Sequence, residues 1–246
     1  MSNPTIIFCP GAWYPPTAFD TIISKLPKYT CHTCAFPSIQ KASETKSLDP
    51  DISALRSLVE NETDAGRDVL VVSHSWSGLP VSSALDGLSK IEREKEGKKG
   101  GVLRIAFISA FLPTLGQSLI GAFGGTPPDW YIHNTESETL TVADPVGRFF
   151  HDVPDGEEWA SKLRPHSWLT KLSPATGTAY VTIPCSYLLC EDDQAIPFEV
   201  QKGMVEQARG LGADIETESI KTSHTPWLVL PDETLNFIRR QAGEKI

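Results

Sequence analysis

Serine 75 is the residue of this chain best placed for covalent chemistry. It is the middle of Ser73-His74-Ser75-Trp76-Ser77-Gly78, which follows the apolar run Val69–Val72 and precedes a helical pattern from Leu79. A serine on a tight strand-to-helix turn presents its hydroxyl clear of the sheet, provided the residues two before and two after it are small enough for the backbones to pass. Ser73 and Ser77 meet that need, although glycine is usual at both places. A hydroxyl is a weak nucleophile near neutral pH, so it requires a base within hydrogen-bond reach and an acid that orients the base. Two later stretches supply these types. Cys190-Glu191-Asp192-Asp193-Gln194-Ala195-Ile196-Pro197 offers three carboxylates, and Thr222-Ser223-His224-Thr225-Pro226-Trp227 offers an imidazole. Serine, then acid, then histidine is one of the orders in which such triads occur along a chain. A triad here requires His224 to reach both the acid and Ser75.

Each candidate falls just past an apolar run, which is the rim where open α/β sheets gather their sites. Ile6–Cys9 reads as a strand stopped by Pro10-Gly11, and Phe19, Ile22, Ile23 and Leu26 as a helix after it. A strand at Cys31–Phe36 leads to Asp49-Pro50, a helix start, with Ile52, Leu55, Leu58 and Val59 on one face. Val69–Val72 is a strand covered on both faces, followed by a helix over Leu79–Ile91, and Ile105–Ser109 is a fourth strand. The alternation returns with Ser186–Cys190, a helix over Phe198–Gln207, a strand at Ile215–Ile220 and a last helix from Asp232. This rhythm predicts an α/β class, a doubly wound and mostly parallel sheet of about six strands. It lapses from Thr114 to about Tyr180, where Gly124-Gly125, Pro127-Pro128 and scattered aromatics stand instead. The expected organisation is therefore a core of residues 1–113 and 181–246 with an inserted cap over 114–180.

The motifs resemble those of the α/β-hydrolase superfamily over essentially the whole chain. The likeness is nearest to short members such as plant methylesterases, hydroxynitrile lyases and small fungal hydrolases. The superfamily's H-G-A after the first strand stands here as Pro10-Gly11-Ala12, its E-D-x-G-I-P as Asp192-Asp193-Gln194-Ala195-Ile196-Pro197, and its D-H as Ser223-His224. The resemblance implies an α/β-hydrolase fold with Ser75 as nucleophile, Asp193 as acid and His224 as base. The backbone N–H groups of Ala12 and Trp76 become the oxyanion donors, and no metal or organic cofactor is implied. The activity implied is that of an esterase on a small, fairly apolar substrate. A lyase or other tailoring enzyme using the same triad, or a small-molecule receptor of the same fold, are the alternatives. Hydroxynitrile lyases carry threonine in the oxyanion loop and lysine after the histidine, where this chain has Gly11 and Thr225. Serine at the elbow also separates the chain from the dehalogenases and epoxide hydrolases, which place aspartate there. Trp13, Trp76 and Trp227 adjoin the site motifs and suggest an aromatic pocket completed by Trp130 and Phe149, against the plain alternative of core packing.

The 22 Lys+Arg against 31 Asp+Glu leave a net charge of −9, so nucleic acid is not an expected partner. No run reaches the roughly 20 apolar residues of a membrane span, and MSNPTIIFCPGAW lacks a charged leader region, so a soluble cytoplasmic protein is expected, with a small-molecule substrate and room for a homodimer. Five cysteines, an odd number, fit a reducing compartment, and Cys31 and Cys34 point to opposite faces of the expected strand. His74 is expected to point off the elbow. His32 lies in a strand, and His133, His151 and His166 are expected at the cap surface or against substrate. Lys90–Gly101 reads as a solvated helix end.

Overall fold

A computed structural model describes residues 3–246; the first two residues of the uncharged N-terminal run lie outside the described residues. Among the described residues nine strands run in chain order: β1 Thr5–Cys9, β2 Cys31–Thr33, β3 Val69–His74, β4 Val102–Ile108, β5 Tyr131–Asn134, β6 Thr139–Val142, β7 His166–Ser167, β8 Cys185–Cys190 and β9 Ile215–Ile220. Six of them form one sheet in the order β2-β1-β3-β4-β8-β9, and every neighbouring pair is parallel. All residues of β1, β3 and β8 are buried, as continuous apolar strands between two helical layers must be. At the edge, β9 carries Glu216 and Glu218, paired with Arg104 and Arg240, a charged margin that discourages pairing with another chain.

The order of the strands positions the site. From β1 the chain steps outward to β2, crosses back to β3, and thereafter moves in the opposite direction. The carboxyl ends of β1 and β3 are therefore the topological switch point, where loops diverge and leave a crevice. Because Cys9 pairs in register with Ser73, the loop beginning at Pro10 and the turn at Ser75 start side by side.

Several elements differ from expectation for local reasons. β2 stops at Thr33, which leaves Cys34 beyond the strand and buried, and all five cysteines are free. The helix expected over Leu79–Ile91 is two: Gly78–Ala84 and Lys90–Lys95, parted by Gly87 at φ +76°, a conformation costly for other residues. The first helical pattern is a 3₁₀ turn at Pro16–Phe19 and a single α turn at Asp20–Ile23. Within Lys90–Gly101, Arg93 is not solvated: it is buried and donates to Gly100 O and Asp64 at 2.6 Å each.

Between β4 and β8, residues 114–180 form no parallel crossover. They carry an antiparallel sheet β5-β6-β7, short helical turns and no long helix. This segment is bonded to the core at several places, two of them beside the site. Trp13 Nε1 donates to Leu140 O at 3.0 Å, and Phe149 O accepts from the hydroxyls of Ser223 and Thr225 at 3.1 Å each. Among the described residues no helix is long and apolar enough to cross a membrane.

Candidate active site

Ser75 follows β3 and opens a short 3₁₀ turn that runs into the helix Gly78–Ala84, with its backbone at φ +56°. A non-glycine residue in that region is strained by about 1–3 kcal/mol and persists only where its surroundings hold it. The neighbours supply the hold. Ser77 Oγ lies 3.0 Å from Ser73 Oγ, accepts from His74 N–H at 3.0 Å, and has Cys9 O at 2.9 Å and His74 O at 2.8 Å as acceptors. Serine in place of glycine thus ties the turn to β1. Ser75 O in turn accepts from Phe111 N–H at 3.0 Å.

Gly11 explains how the loop after β1 comes so near. A Cβ there would stand 2.8 Å from both His74 Nδ1 and Ser75 Cβ, so only glycine fits. The approach brings Ala12 to the same small cavity as Ser75 and Trp76. Among the described residues the Ala12 N–H donates to no backbone acceptor. The Trp76 N–H stands in the first turn of a helical segment, where donors lack an acceptor within the helix. Both amides are thus available at the cavity that Ser75 lines.

His224 is 1% exposed and Asp193 4%. Asp193 Oδ2 lies 2.7 Å from His224 Nδ1; since a carboxylate only accepts, Nδ1 carries the proton and Nε2 is left with its lone pair. Asp193 Oδ1 accepts from the amides of Ala195 and Ile196 at 2.7 and 2.9 Å. Of the three carboxylates the sequence offers, Asp193 alone meets the ring. Glu191 is exposed and accepts from Ser219, and Asp192 faces solvent. The ring of His224 bonds Asp193 and its carbonyl accepts from His74 and Ser109; among the described residues no hydrogen bond joins it to Ser75 Oγ. Phe149 bridges the gap, lining the Ser75 cavity while its ring centroid sits 5.5 Å from that of His224.

The aromatic candidates divide. Trp13, Trp130 and Phe149 line the cavity together with Phe111, Phe123 and Tyr131. Trp227 does not, a correction to the pocket reading: its indole donates to Ala18 O and packs on Phe19 and His74 at 4.6 Å each, beneath the elbow. The cavity is narrow, with a volume of about 10 Å³.

His74 does point away from the cavity, into a cage of Tyr14, Phe19, Trp227 and His224. Burial holds its pKa well below the usual value, so the ring is neutral; Nε2–H donates to His224 O at 3.0 Å and Nδ1 is left unpartnered. His166, expected at the surface or substrate, is fully buried instead. Its Nε2 meets Ser38 Oγ at 2.8 Å and its Nδ1 meets Lys171 Nζ at 2.6 Å, while Asp51 accepts from Ser38 N–H at 2.9 Å. Lys171 Nζ lies 4.5 and 5.3 Å from the ring centres of Trp76 and Trp13, so this polar chain backs both tryptophans of the site. Burial lowers the Lys171 pKa strongly and raises that of Asp51 to about 6, each offset in part by the other's charge.

Two groups of residues at this site carry no sequence signal. The Asp51–Ser38–His166–Lys171 chain joins four separate elements. Gln201 sits on the buried face of the helix Phe198–Gly210; its Nε2 reaches Cys190 O, Ile196 O and Asp193 Oδ2, and its Oε1 accepts from Cys190 N–H. A polar residue among the apolar positions of that helix was the only available hint. Among the described residues no group of three or more His, Cys, Asp or Glu side chains is arranged to hold a metal.

Comparison with known proteins agrees with this architecture. The sequence model described as "Alpha/beta hydrolase family" matches residues 6–236. The alpha/beta hydrolase nvfD of Aspergillus novofumigatus is 33% identical over 253 residues, covering 100% of this chain and 99% of that protein. Among solved structures, polyneuridine aldehyde esterase superposes with a TM-score of 0.75 at 17% identity, covering 96% of this chain and 99% of that one. Tomato methylketone synthase I, in complex with 2-tridecanone, gives 0.77 at 15% identity, covering 99% of each chain.

Proposed function

The chain belongs to the alpha/beta hydrolase family and is a hydrolase; from that premise we propose that it cleaves small, fairly apolar esters with Ser75 as nucleophile, His224 as base and Asp193 as acid. The reading rests chiefly on the buried Asp193–His224 pair at 2.7 Å, which leaves Nε2 free to take a proton. Ser75 Oγ gives its proton to His224 Nε2 and attacks the carbonyl carbon, while the carbonyl oxygen takes the negative charge between the N–H groups of Ala12 and Trp76. The tetrahedral adduct collapses, the C–O bond to the alcohol breaks, and the alcohol leaves with the proton from His224. Water then gives a proton to His224 and attacks the acyl-enzyme, and the acid departs as Ser75 regains its proton. The aromatic lining supports an apolar substrate, and the esterase named among the fold relatives is consistent with the reaction.

A lyase or other non-hydrolytic reading draws support from the same free Nε2, which can equally abstract a hydroxyl proton, and from the fold likeness to methylketone synthase I. Products separate the two. Purified protein incubated with aryl esters and a fluorophosphonate probe should be labelled at Ser75. Ser75→Ala should lose the label and lower turnover by about three or more orders of magnitude, because triad members act as a unit. Full turnover by Ser75→Ala would falsify the nucleophile assignment.

A further inference from the structure

The cavity over Ser75 is the smaller of two that share walls. Phe111, Leu119 and Phe123 also bound a second cavity, of about 100 Å³, that continues over Leu79, Leu112, Val200 and Met204. We infer that this second cavity seats the apolar arm of the ester, with Phe123 as the movable partition, so that the substrates are esters bearing an uncharged hydrocarbon arm longer than acetyl. The inference rests on the Ser75 reading and adds the substrate class.

The lining chemistry selects such an arm. No charged side chain borders the cavity. Of its three polar residues, Gln117 already accepts from Thr114 N–H at 3.1 Å, Ser118 caps the next helix through Gly121 N–H at 3.0 Å, and Gln207 is exposed to solvent. A charged arm would lose water with no counter-charge in return, whereas burying a hydrocarbon arm is favourable. Met204 adds an unbranched, adaptable side chain to the wall.

The partition is weakest at Phe123. Phe111 and Leu119 are buried, while Phe123 is only partly so and follows the last residue of the four-residue helix Leu119–Ala122. Gly124 and Gly125 come next at φ +73° and +88°, with nothing within 4 Å of where their Cβ atoms would be. Opposite, Trp13 is fixed by its bond to Leu140 O. Rotation of the Phe123 ring therefore joins the two cavities more cheaply than any movement of Trp13, behind which lies a separate cavity bounded by Leu163 and Pro145.

The test is chain-length selectivity. Wild-type kcat/KM should rise at least about tenfold from p-nitrophenyl acetate to p-nitrophenyl octanoate. Met204→Trp, which fills the chamber, should erase that rise by lowering the octanoate value more than the acetate value. Val200→Trp, at a half-exposed position that should tolerate the change, should do the same in part, Phe123→Ala should increase the octanoate rate, and Leu163→Trp should change neither. The inference is overturned if Leu163→Trp rather than Met204→Trp removes the selectivity, or if all variants affect both esters equally. Binding of methyl acetate and methyl octanoate to Ser75→Ala protein, followed by tryptophan fluorescence, separates the two readings. Octanoate preference that depends on Met204 in a protein hydrolysing no ester would sink the esterase and keep the chamber. Ser75-dependent hydrolysis without chain-length preference would do the reverse.

Discussion

A carboxylate is tolerated at 4% exposure only where donors converge on it, and Asp193 collects four: the amides of Ala195 and Ile196, Gln201 Nε2 and His224 Nδ1–H. This predicts the outcome of Asp193→Asn. The amide oxygen must stay where two backbone N–H groups point, so the NH₂ faces His224 and forces the proton onto Nε2. Ester turnover should drop by about 10⁴ while the thermal midpoint and near-UV spectrum hold; a variant keeping a tenth of the activity would refute the role. Asp51 makes a pH prediction. Its carboxyl goes from an ordinary 3.8 to about 6 on folding, chiefly through burial, with Ser38 and Lys171 opposing the rise. Between those values the folded chain holds the proton and the unfolded chain has lost it, so stability falls as pH rises through the window. Urea unfolding should show Asp51→Asn gaining on wild type by up to about 3 kcal/mol between pH 4 and 6, and no further gain above it. Parallel stability profiles for the two proteins would count against the assignment.

At the scale of elements, the turn at Ser75 is held by contacts of two kinds with different tolerances. Gly78 begins the following helix where a Cβ would stand 1.8 Å from Phe111 O and 2.8 Å from Phe111 C. Both are backbone atoms, and moving them disturbs the Phe111 N–H bond to Ser75 O. Gly78→Ala should therefore cost about 3 kcal/mol or more and abolish fluorophosphonate labelling. Ser77→Gly removes hydroxyl bonds without adding bulk, so a loss of about 1–2 kcal/mol with labelling retained is expected. Thermal denaturation beside probe labelling reads both; equal behaviour of the two variants would contradict the steric argument. The β8 end depends likewise on Gln201. Gln201→Leu strands Cys190 N–H and the carbonyls of Cys190 and Ile196, and should cost about 1–3 kcal/mol for each group left without water.

For the whole molecule, stability should grade from sheet to inserted segment. β1, β3, β4 and β8 lie at the centre of the sheet between helical layers, and their amides should exchange with solvent only by near-global unfolding. Residues 121–127 are mostly exposed and bound by turn contacts alone, so their amides should exchange orders of magnitude faster. Residues 149–152 should be slower than that tip, since Phe149 O and Asp152 Oδ2 accept from the residues around His224. Uniform protection across 114–180 in a hydrogen-exchange experiment would show that the tip does not move independently.

The strand runs, the parallel α/β sheet and the motifs around Ser75, Asp193 and His224 were legible in the sequence because each is local. Continuous apolar runs mark strands buried on both faces, and turn residues mark the ends where polar groups emerge. Which acid meets His224 was not settled by the residues themselves, since Glu191, Asp192 and Asp193 are chemically alike; the fold decides it by burying one and exposing two. The breaks at Thr33 and Gly87 were missed because tertiary contacts and a positive φ override periodicity. Trp227 and His166 were misread for a further reason. An aromatic or an imidazole suits a pocket, a surface or a core equally well, and only the packing of elements distant in sequence put Trp227 beneath the elbow and His166 between Ser38 and Lys171. Sequence determines what a segment can bury and which chemistry it carries, while the closing of separate segments on one another decides which polar groups become partners.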